Sequence, residues 1–400
     1  MNVVEIFIFI LLRCDVKSEY PRRRLLKIIG GGILSIMGGL FGAINNLAKS
    51  NETRKNMKIN ETSVLSIISL PETGPWPTED PFLFCVHHND NYPAAKDDLS
   101  PNVSLSGRHL GNDFSNKDGW SMYHGQKVPG FPRHPHRGFE TLTVVSKGII
   151  DHADSLGASA RYGDGDAQWL TAGDGINHSE MFPLFSQNGN NKLDFFQIWL
   201  NLPSYNKRVE PNFEMYWEDE IPKISNNLNG NKNVQVEIIT GDYLDYSSPI
   251  APKNSWANNK KNDVAVWIIR LDSNGNFAIP NTKSGAKRNL YVLKDSNMEI
   301  DGQSISGGSM VTLDSSKNTV IKNLGSKTKI LMLQGVPINE PVVKYGPFVM
   351  NTRSEIEQAF YDYNRTEFGG WKWGNSDPVH GIEKEKFAKL ISGKIIKPAK

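Results

Sequence analysis

The chain has almost no cysteine. Two residues in 400, Cys14 and Cys85, exclude a disulfide framework and a thiolate metal cluster, so any metal must be held by nitrogen and oxygen. Net charge is also nearly absent: 45 Lys and Arg stand against 43 Asp and Glu, a balance of +2. That is too little for a body built to neutralise a phosphate backbone, and nucleic acid is not an expected partner. Histidine is unevenly spread. The nine lie at 87, 88, 109, 124, 134, 136, 152, 178 and 380, eight of them between 87 and 178 and none between 241 and 345. Whatever chemistry histidine serves belongs to the first half of the body.

Four hundred residues suffice for two domains of ordinary size. Residues 1–50 read as a signal or anchor. Arg22, Arg23, Arg24 and Lys27 precede an apolar stretch from Ile28 to about Leu47, the charge-then-apolar order of an export signal. The run Arg22-Arg23-Arg24-Leu25-Leu26-Lys27 resembles a twin-arginine signal, which predicts an exported, periplasmic protein. A membrane anchor is the alternative, since about 20 apolar residues span a bilayer, although Gly30, Gly31, Gly32, Gly38, Gly39 and Gly42 dilute this stretch. Membrane contact is expected only through this segment. A cytoplasmic protein is the remaining reading.

Residues 51–80, with the Pro-rich PETGPWPTEDP, read as a linker. From 81 to 240, short β-type runs such as TLTVVSKGIID, DAQWLTAG and KLDFFQIWLNLP are broken by Gly, Asp, Asn and Pro. A second set with similar spacing fills 241–345, including DVAVWIIRLD and KTKILMLQGVP. The pattern predicts an all-β protein of two barrels packed together. The segment 346–400 holds a helix, NTRSEIEQAFYDYN, with Asn351 or Thr352 as cap and Ile356, Ala359, Phe360 and Tyr363 at helical spacing. Its tail beyond Trp371 reads as a surface or membrane-facing extension.

In RHPHRGFETLTVV, His134 and His136 are spaced i, i+2 and project from the same side of a strand. GDGINHSEMFP supplies a second such pair, His178 and Glu180. Brought together from adjacent strands, the two pairs form a set of three imidazoles and one carboxylate. Such a set suits Fe(II), Mn(II) or Ni(II) with open positions, and a closed zinc site less well. His87 and His88 are adjacent in sequence, so at most one faces inward, and neither is expected to hold metal. His152 reads as a structural histidine, Arg137 as a solvent-side or turn residue, and Trp169 and Phe139 as barrel packing.

Three separated motifs, HPHRGFET, DGDAQWLTAGDGINHSEMFP and YGPFVMNTRSEIEQAF, resemble the pirin family of the cupin superfamily over about Asp80 to Trp371. The resemblance implies two cupin-type jelly-roll barrels, with metal in the N-terminal barrel and a C-terminal barrel without it. It places the ligands at His134, His136, His178 and Glu180. Fe(II) is the first expectation for the ion, with Mn, Ni, Cu or Zn as alternatives. Glu140, four residues after His136, is the carboxylate that the general cupin pattern would use. It stands as the rival of Glu180, or else as a neighbour of the ligands or a residue at the mouth of the site.

The resemblance also implies a metal-dependent dioxygenase of the quercetin 2,3-dioxygenase type, with a small aromatic, flavonol-like substrate and O2 as partners. Glu180 is the candidate to take the substrate hydroxyl proton. The alternatives are a redox-sensitive metal-binding regulator without turnover and a cupin isomerase.

Overall fold

The computed structural model describes residues 62–225 and 233–399. The signal reading of residues 1–50 lies outside the described residues. Among the described residues no helix is long and apolar enough to cross a membrane.

Two antiparallel β-barrels are present, each closed by two sheets. In the first, a five-stranded sheet runs in the order Asn212–Tyr216, Ala167–Thr171, Phe139–Lys147, Asn191–Asn201 and Phe82–Tyr92. The opposing sheet runs Ile395–Ile396, Phe387–Lys389, Ser159–Gly163, Ile149–Asp154, Ile176–Met181 and Gly130–His136. The second barrel has a seven-stranded sheet that includes Ala265–Leu271 and Thr328–Gly335, and a four-stranded sheet that includes Asn276–Ile279.

The barrels meet sheet to sheet. On Phe139–Lys147, Val145 faces the interior of the first barrel, while Leu142 and Val144 face the second. On Ala265–Leu271, Trp267 and Ile269 enter the second barrel's interior, and Val266 and Ile268 face the first. Consecutive apolar residues in AVWIIRL follow from burial of both faces. Each such aliphatic side chain contributes about 1.5–3 kcal/mol on burial. Trp169 and Cys85 belong to this interface layer, so Trp169 packs between barrels rather than inside one.

The two ends of the described chain cross over. Val64–Ser69, inside the segment read as a linker, pairs with Ser309–Leu313 of the second barrel. Phe387–Lys389, in the tail read as an extension, pairs with Ser159–Gly163 of the first. Lys223–Ser225 and Val234–Thr240, on the first side of the boundary at 240, join the second barrel's sheet. All of these pairings are long-range in sequence or depend on which edge is free, and local alternation carries neither piece of information.

Helix Arg353–Thr366 begins with a capping box in which the Thr352 side chain accepts from the Glu355 amide and Glu355 returns the contact. Ile356, Ala359 and Tyr363 pack on Phe348, Met350 and Phe368. The helix thereby lies beside the turn that follows His136.

Candidate metal centre

Strands Gly130–His136 and Ile176–Met181 are antiparallel neighbours, and His134 is the register partner of His178. The i, i+2 alternation on each strand turns His136 and Glu180 to the same side. One ring nitrogen from each of His134, His136 and His178 lies within 4.8 Å of the others. The ring centroids are 4.4 Å apart for His134 and His178, 4.8 Å for His134 and His136, and 5.0 Å for His136 and His178.

The environment keeps these imidazoles neutral. Burial pushes His134 down to about 4, and His136 and His178 well below the ordinary 6.5. Their lone pairs are therefore available at neutral pH. The Nδ1 of His134 faces the Pro132 carbonyl at 2.9 Å. A carbonyl only accepts, so that nitrogen carries the proton and Nε2 keeps the lone pair. Both ring nitrogens of His178 are buried with no hydrogen-bond partner. A buried polar atom left this way costs about 1–3 kcal/mol, and a divalent ion is the group that would take one nitrogen from each of the three converging rings at once. The residues fit a metal.

Glu180 stands beside this group and outside the 4.8 Å set, with Oε2 4.0 Å from His178 Nε2. Gln197 Nε2 donates to Oε2 at 2.6 Å and Thr143 Oγ1 to Oε1 at 3.2 Å. Burial raises its carboxyl above the ordinary value, and neighbouring His152 opposes the rise. The carboxylate is thus held by two neutral donors and faces the histidines.

Glu140 is elsewhere. Gly138 has φ +87°, and a Cβ there would meet the Val349 carbonyl at 2.0 Å, so this position requires glycine. The turn at Arg137 and Gly138 carries the chain from one sheet to the other, which ends the strand parity linking position 140 to the two histidines. Glu140 points with Leu142 and Val144 toward the second barrel, where it accepts from Thr171 Oγ1 at 2.8 Å and Ser255 Oγ at 2.6 Å. The expectation that it neighbours the ligands or sits at the mouth is corrected.

Burial without a cation pushes the Glu140 carboxyl from 4.5 up to about 7. Below pH 4.5 it is protonated in the folded and unfolded chain alike; between 4.5 and about 7 only the folded chain keeps the proton, so stability falls as pH rises through that window. Glu140→Gln removes the loss. Between about pH 4 and about pH 8, urea melts should move in the variant's favour by roughly 3 kcal/mol. A difference independent of pH would show that this carboxyl is not buried as described.

Arg137 lies in the turn between the two strands, as one of its two readings has it, but it is buried and does not face solvent. It pairs with Asp362 of the helix at 2.8 Å and with Asp174 at 3.2 Å, and its Nε donates to the Asp174 carbonyl at 2.6 Å. The ammonium of Lys207 reaches the Gly138 carbonyl at 2.8 Å and Asn201 Oδ1 at 2.6 Å. The turn after His136 is held from both sides.

His152 is buried 5.5 Å from His178 by ring centroid and opposite Glu180 in register. Its Nε2 lies 3.3 Å from Asp154 Oδ2, and its Nδ1 has no partner. His87 turns away to Asp194 at 2.9 Å. His88 faces the first barrel's cavity. Phe139 packs edge-on to His136, with ring centroids 5.1 Å apart, and against Trp199 at 4.3 Å. The side chain of Asn177, in a sequon, is fully buried and donates to the Gly370 carbonyl at 3.4 Å, which leaves no room for a glycan.

A cavity reaches His134, His136, Glu180 and Gln197 and is walled by Phe84, Val86, His88, Tyr123, Phe131 and Trp199. The ring of Trp199 stacks on Phe84 at 4.6 Å. Thr143, Gln197, Trp199 and Phe131 were not singled out from the sequence. For Thr143 and Gln197 the available signal was a polar residue inside an apolar run, as in DFFQIWL; Trp199 and Phe131 carried none.

The pirin family model matches residues 77–200, and the model of the pirin C-terminal cupin domain matches residues 266–369. Pirin of Homo sapiens is 31% identical over 251 residues, covering 62% of this chain and 80% of its own length. A pirin-like protein of Solanum lycopersicum is 34% identical over 237 residues, covering 58% and 75%. Among solved structures, quercetin 2,3-dioxygenase from Acinetobacter baumannii superposes with a TM-score of 0.61 at 25% identity, covering 77% of this chain and 99% of its own. With two barrels in the same order and a buried histidine triad in the first, this chain belongs to the pirin family of cupin proteins.

Proposed function

We propose that the protein is a metal-dependent dioxygenase of the quercetin 2,3-dioxygenase type, acting on a flavonol-like substrate with O2. The observation that carries this reading is the convergence of three neutral, buried imidazoles beside a hydrogen-bonded carboxylate, at the end of an aromatic-walled cavity. His134, His136 and His178 would hold the ion, with Glu180 as the oxygen ligand. An Fe(II)-like ion held there would supply Lewis acidity toward an enediol and redox access to O2.

The chain's own residues do the rest. Glu180, kept basic enough to accept a proton yet held by Gln197 and Thr143, takes the proton of the chelating hydroxyl. Phe84, Trp199 and Phe131 give the cavity flat apolar walls suited to an aromatic substrate, and they keep water from the reacting carbons. The likeness to the A. baumannii quercetin 2,3-dioxygenase supports the substrate class.

The test is elemental analysis of the full chain purified anaerobically, followed by an oxygen-electrode trace with quercetin. About one ion per chain with quercetin-dependent uptake is the expected result. Metal without uptake would sink the dioxygenase reading and favour a binding or isomerase role.

Export is proposed from Arg22 to Lys27. Changing Arg22 and Arg23 together to Lys should leave the protein in the cytoplasmic fraction, since the twin-arginine route reads the pair itself. Unchanged export of this variant would refute that route.

A further inference from the structure

His88 has no place in the metal set, yet it is not an ordinary core residue. Its ring lies flat on Phe195, with centroids 4.4 Å apart and planes 16° apart. The rings of Tyr123, at 4.9 Å, and Phe131, at 5.7 Å, meet it edge-on. It is 6% exposed, and its Nε2 has no hydrogen-bond partner. A phenylalanine would fill this aromatic box without leaving a buried polar atom unpaired, which costs about 1–3 kcal/mol. Burial lowers its basicity to about 3, so the ring is neutral, with one nitrogen to donate and one to accept.

The box lies on the wall of the cavity that reaches His134, His136 and Glu180. Val86 is the register partner of Gln197, which holds Glu180, and His88 is the partner of Phe195. Two residues along a strand advance about 7 Å, so His88 stands one such step from the level of the carboxylate. A flavonol chelating through its 3-hydroxyl and 4-carbonyl places its pendant ring, with any hydroxyls, at a comparable remove. Phe131, edge-on to both His88 and His134, the latter at 6.4 Å, lies between the two ends.

We propose that His88 is the specificity residue that recognises hydroxyls on the pendant ring of the substrate. This rests on the dioxygenase reading for the chelating end alone. The imidazole supplies the polar partner that its aromatic surroundings lack, and the bound hydroxyl satisfies the orphaned nitrogen.

The test compares quercetin with galangin, a flavonol with the same fused rings and no pendant-ring hydroxyls. Binding to the metal-loaded full chain is read by quenching of tryptophan fluorescence, for wild type, His88→Phe and His88→Gln. Wild type should prefer quercetin by about tenfold or more. His88→Phe should bring the ratio close to one with metal content unchanged, and His88→Gln should retain most of the preference. Equal binding of the two flavonols by wild type, an unchanged ratio in His88→Phe, or binding of neither flavonol overturns the assignment. Should His88→Phe fail to fold, loss of the preference in a folded His88→Gln overturns it also, because a hydrogen-bonding side chain is then present without the recognition. Discrimination that depends on His88 without oxygen uptake would leave this assignment standing and sink the dioxygenase reading alone.

Discussion

His178→Ala is expected to abolish metal binding. His178 lies within 4.4 Å of His134 and 5.0 Å of His136 by ring centroid, and neither of its nitrogens has another partner. Its removal leaves two imidazoles from one strand and a carboxylate that stands outside the close set. The loss of affinity should exceed by far the roughly 10–100-fold that follows removal of a hydrogen-bonded outer partner, such as Gln197 behind Glu180. Titration calorimetry of the stripped protein measures the affinity, and elemental analysis of the purified variant gives the same answer independently.

The stability gap between variant and wild type should depend on metal. Loaded wild type gains stability by mass action and the variant does not. In chelator the variant should lie close to wild type, because the relief of two buried, unpartnered nitrogens offsets much of the cost of the cavity the ring leaves. A His178→Ala protein that keeps its ion, or one that is much less stable in chelator, would make the triad a structural cluster. Glu180→Gln separates the carboxylate's roles: retained metal with lost oxygen uptake assigns proton transfer, and lost metal assigns ligation.

Asp151→Ala should destabilise the fold by about 3–5 kcal/mol. Asp151 and Arg161 are almost wholly buried, and they join through two parallel contacts of 2.7 Å, Nε to Oδ1 and Nη2 to Oδ2. The same Asp151 Oδ2 accepts the His380 amide at 2.8 Å, and Arg161 donates to the carbonyls of Gly381, at 3.0 Å, and Glu383. Removing the carboxylate leaves a buried guanidinium with no counter-charge and releases the tail that crosses this sheet. Replacing both partners, Asp151→Leu with Arg161→Met, should recover a large part of the loss, because no charge is then stranded.

Denaturant melts give the energies, and hydrogen exchange at Phe387–Lys389 reports release of the tail. A single variant within 1 kcal/mol of wild type, far below the expected about 3–5 kcal/mol, would mean that the pair is solvated. Metal affinity should also fall in the single variant. The tail touches the ligand sheet at several points: Ser376 accepts the Arg133 amide at 2.7 Å, Trp373 donates to the Asp154 carbonyl at 2.8 Å and His380 to the His152 carbonyl at 2.7 Å.

How much of this was legible in the sequence differs by element. The all-β class followed from short alternating runs between turn residues, because a strand's period of two is a local property. The helix was legible for the same reason, with its cap narrowed to Asn351 or Thr352, since a capping box spans four residues. The two i, i+2 pairs were visible as pairs of residues on one strand face. The fate of Glu140 was not, although it shares the parity of His134 and His136 in the sequence. Parity holds only along an unbroken strand, and Gly138 breaks it by turning the chain into the other sheet.

The burial of Arg137 was missed, and Asp151 and Arg161 were passed over, because a charged residue in sequence looks like surface. Its partners, 225 residues away for Asp362 and ten for the Asp151 and Arg161 pair, exist only after the sheets and helix have met. The crossed ends have the same origin: which free edge Val64–Ser69 and Phe387–Lys389 would join depends on contacts absent from any local window.

The sequence by itself determined the residue types of the centre, their spacing on two strands and the β class of the body. Each of these is set by neighbours a few positions apart. Only the tertiary structure decided that His178 stands opposite His134, that Glu180 and not Glu140 faces them, and that His88 sits in an aromatic box on the same cavity. Those are distances between strands far apart in sequence, and they arise when burial of apolar faces brings the strands into register.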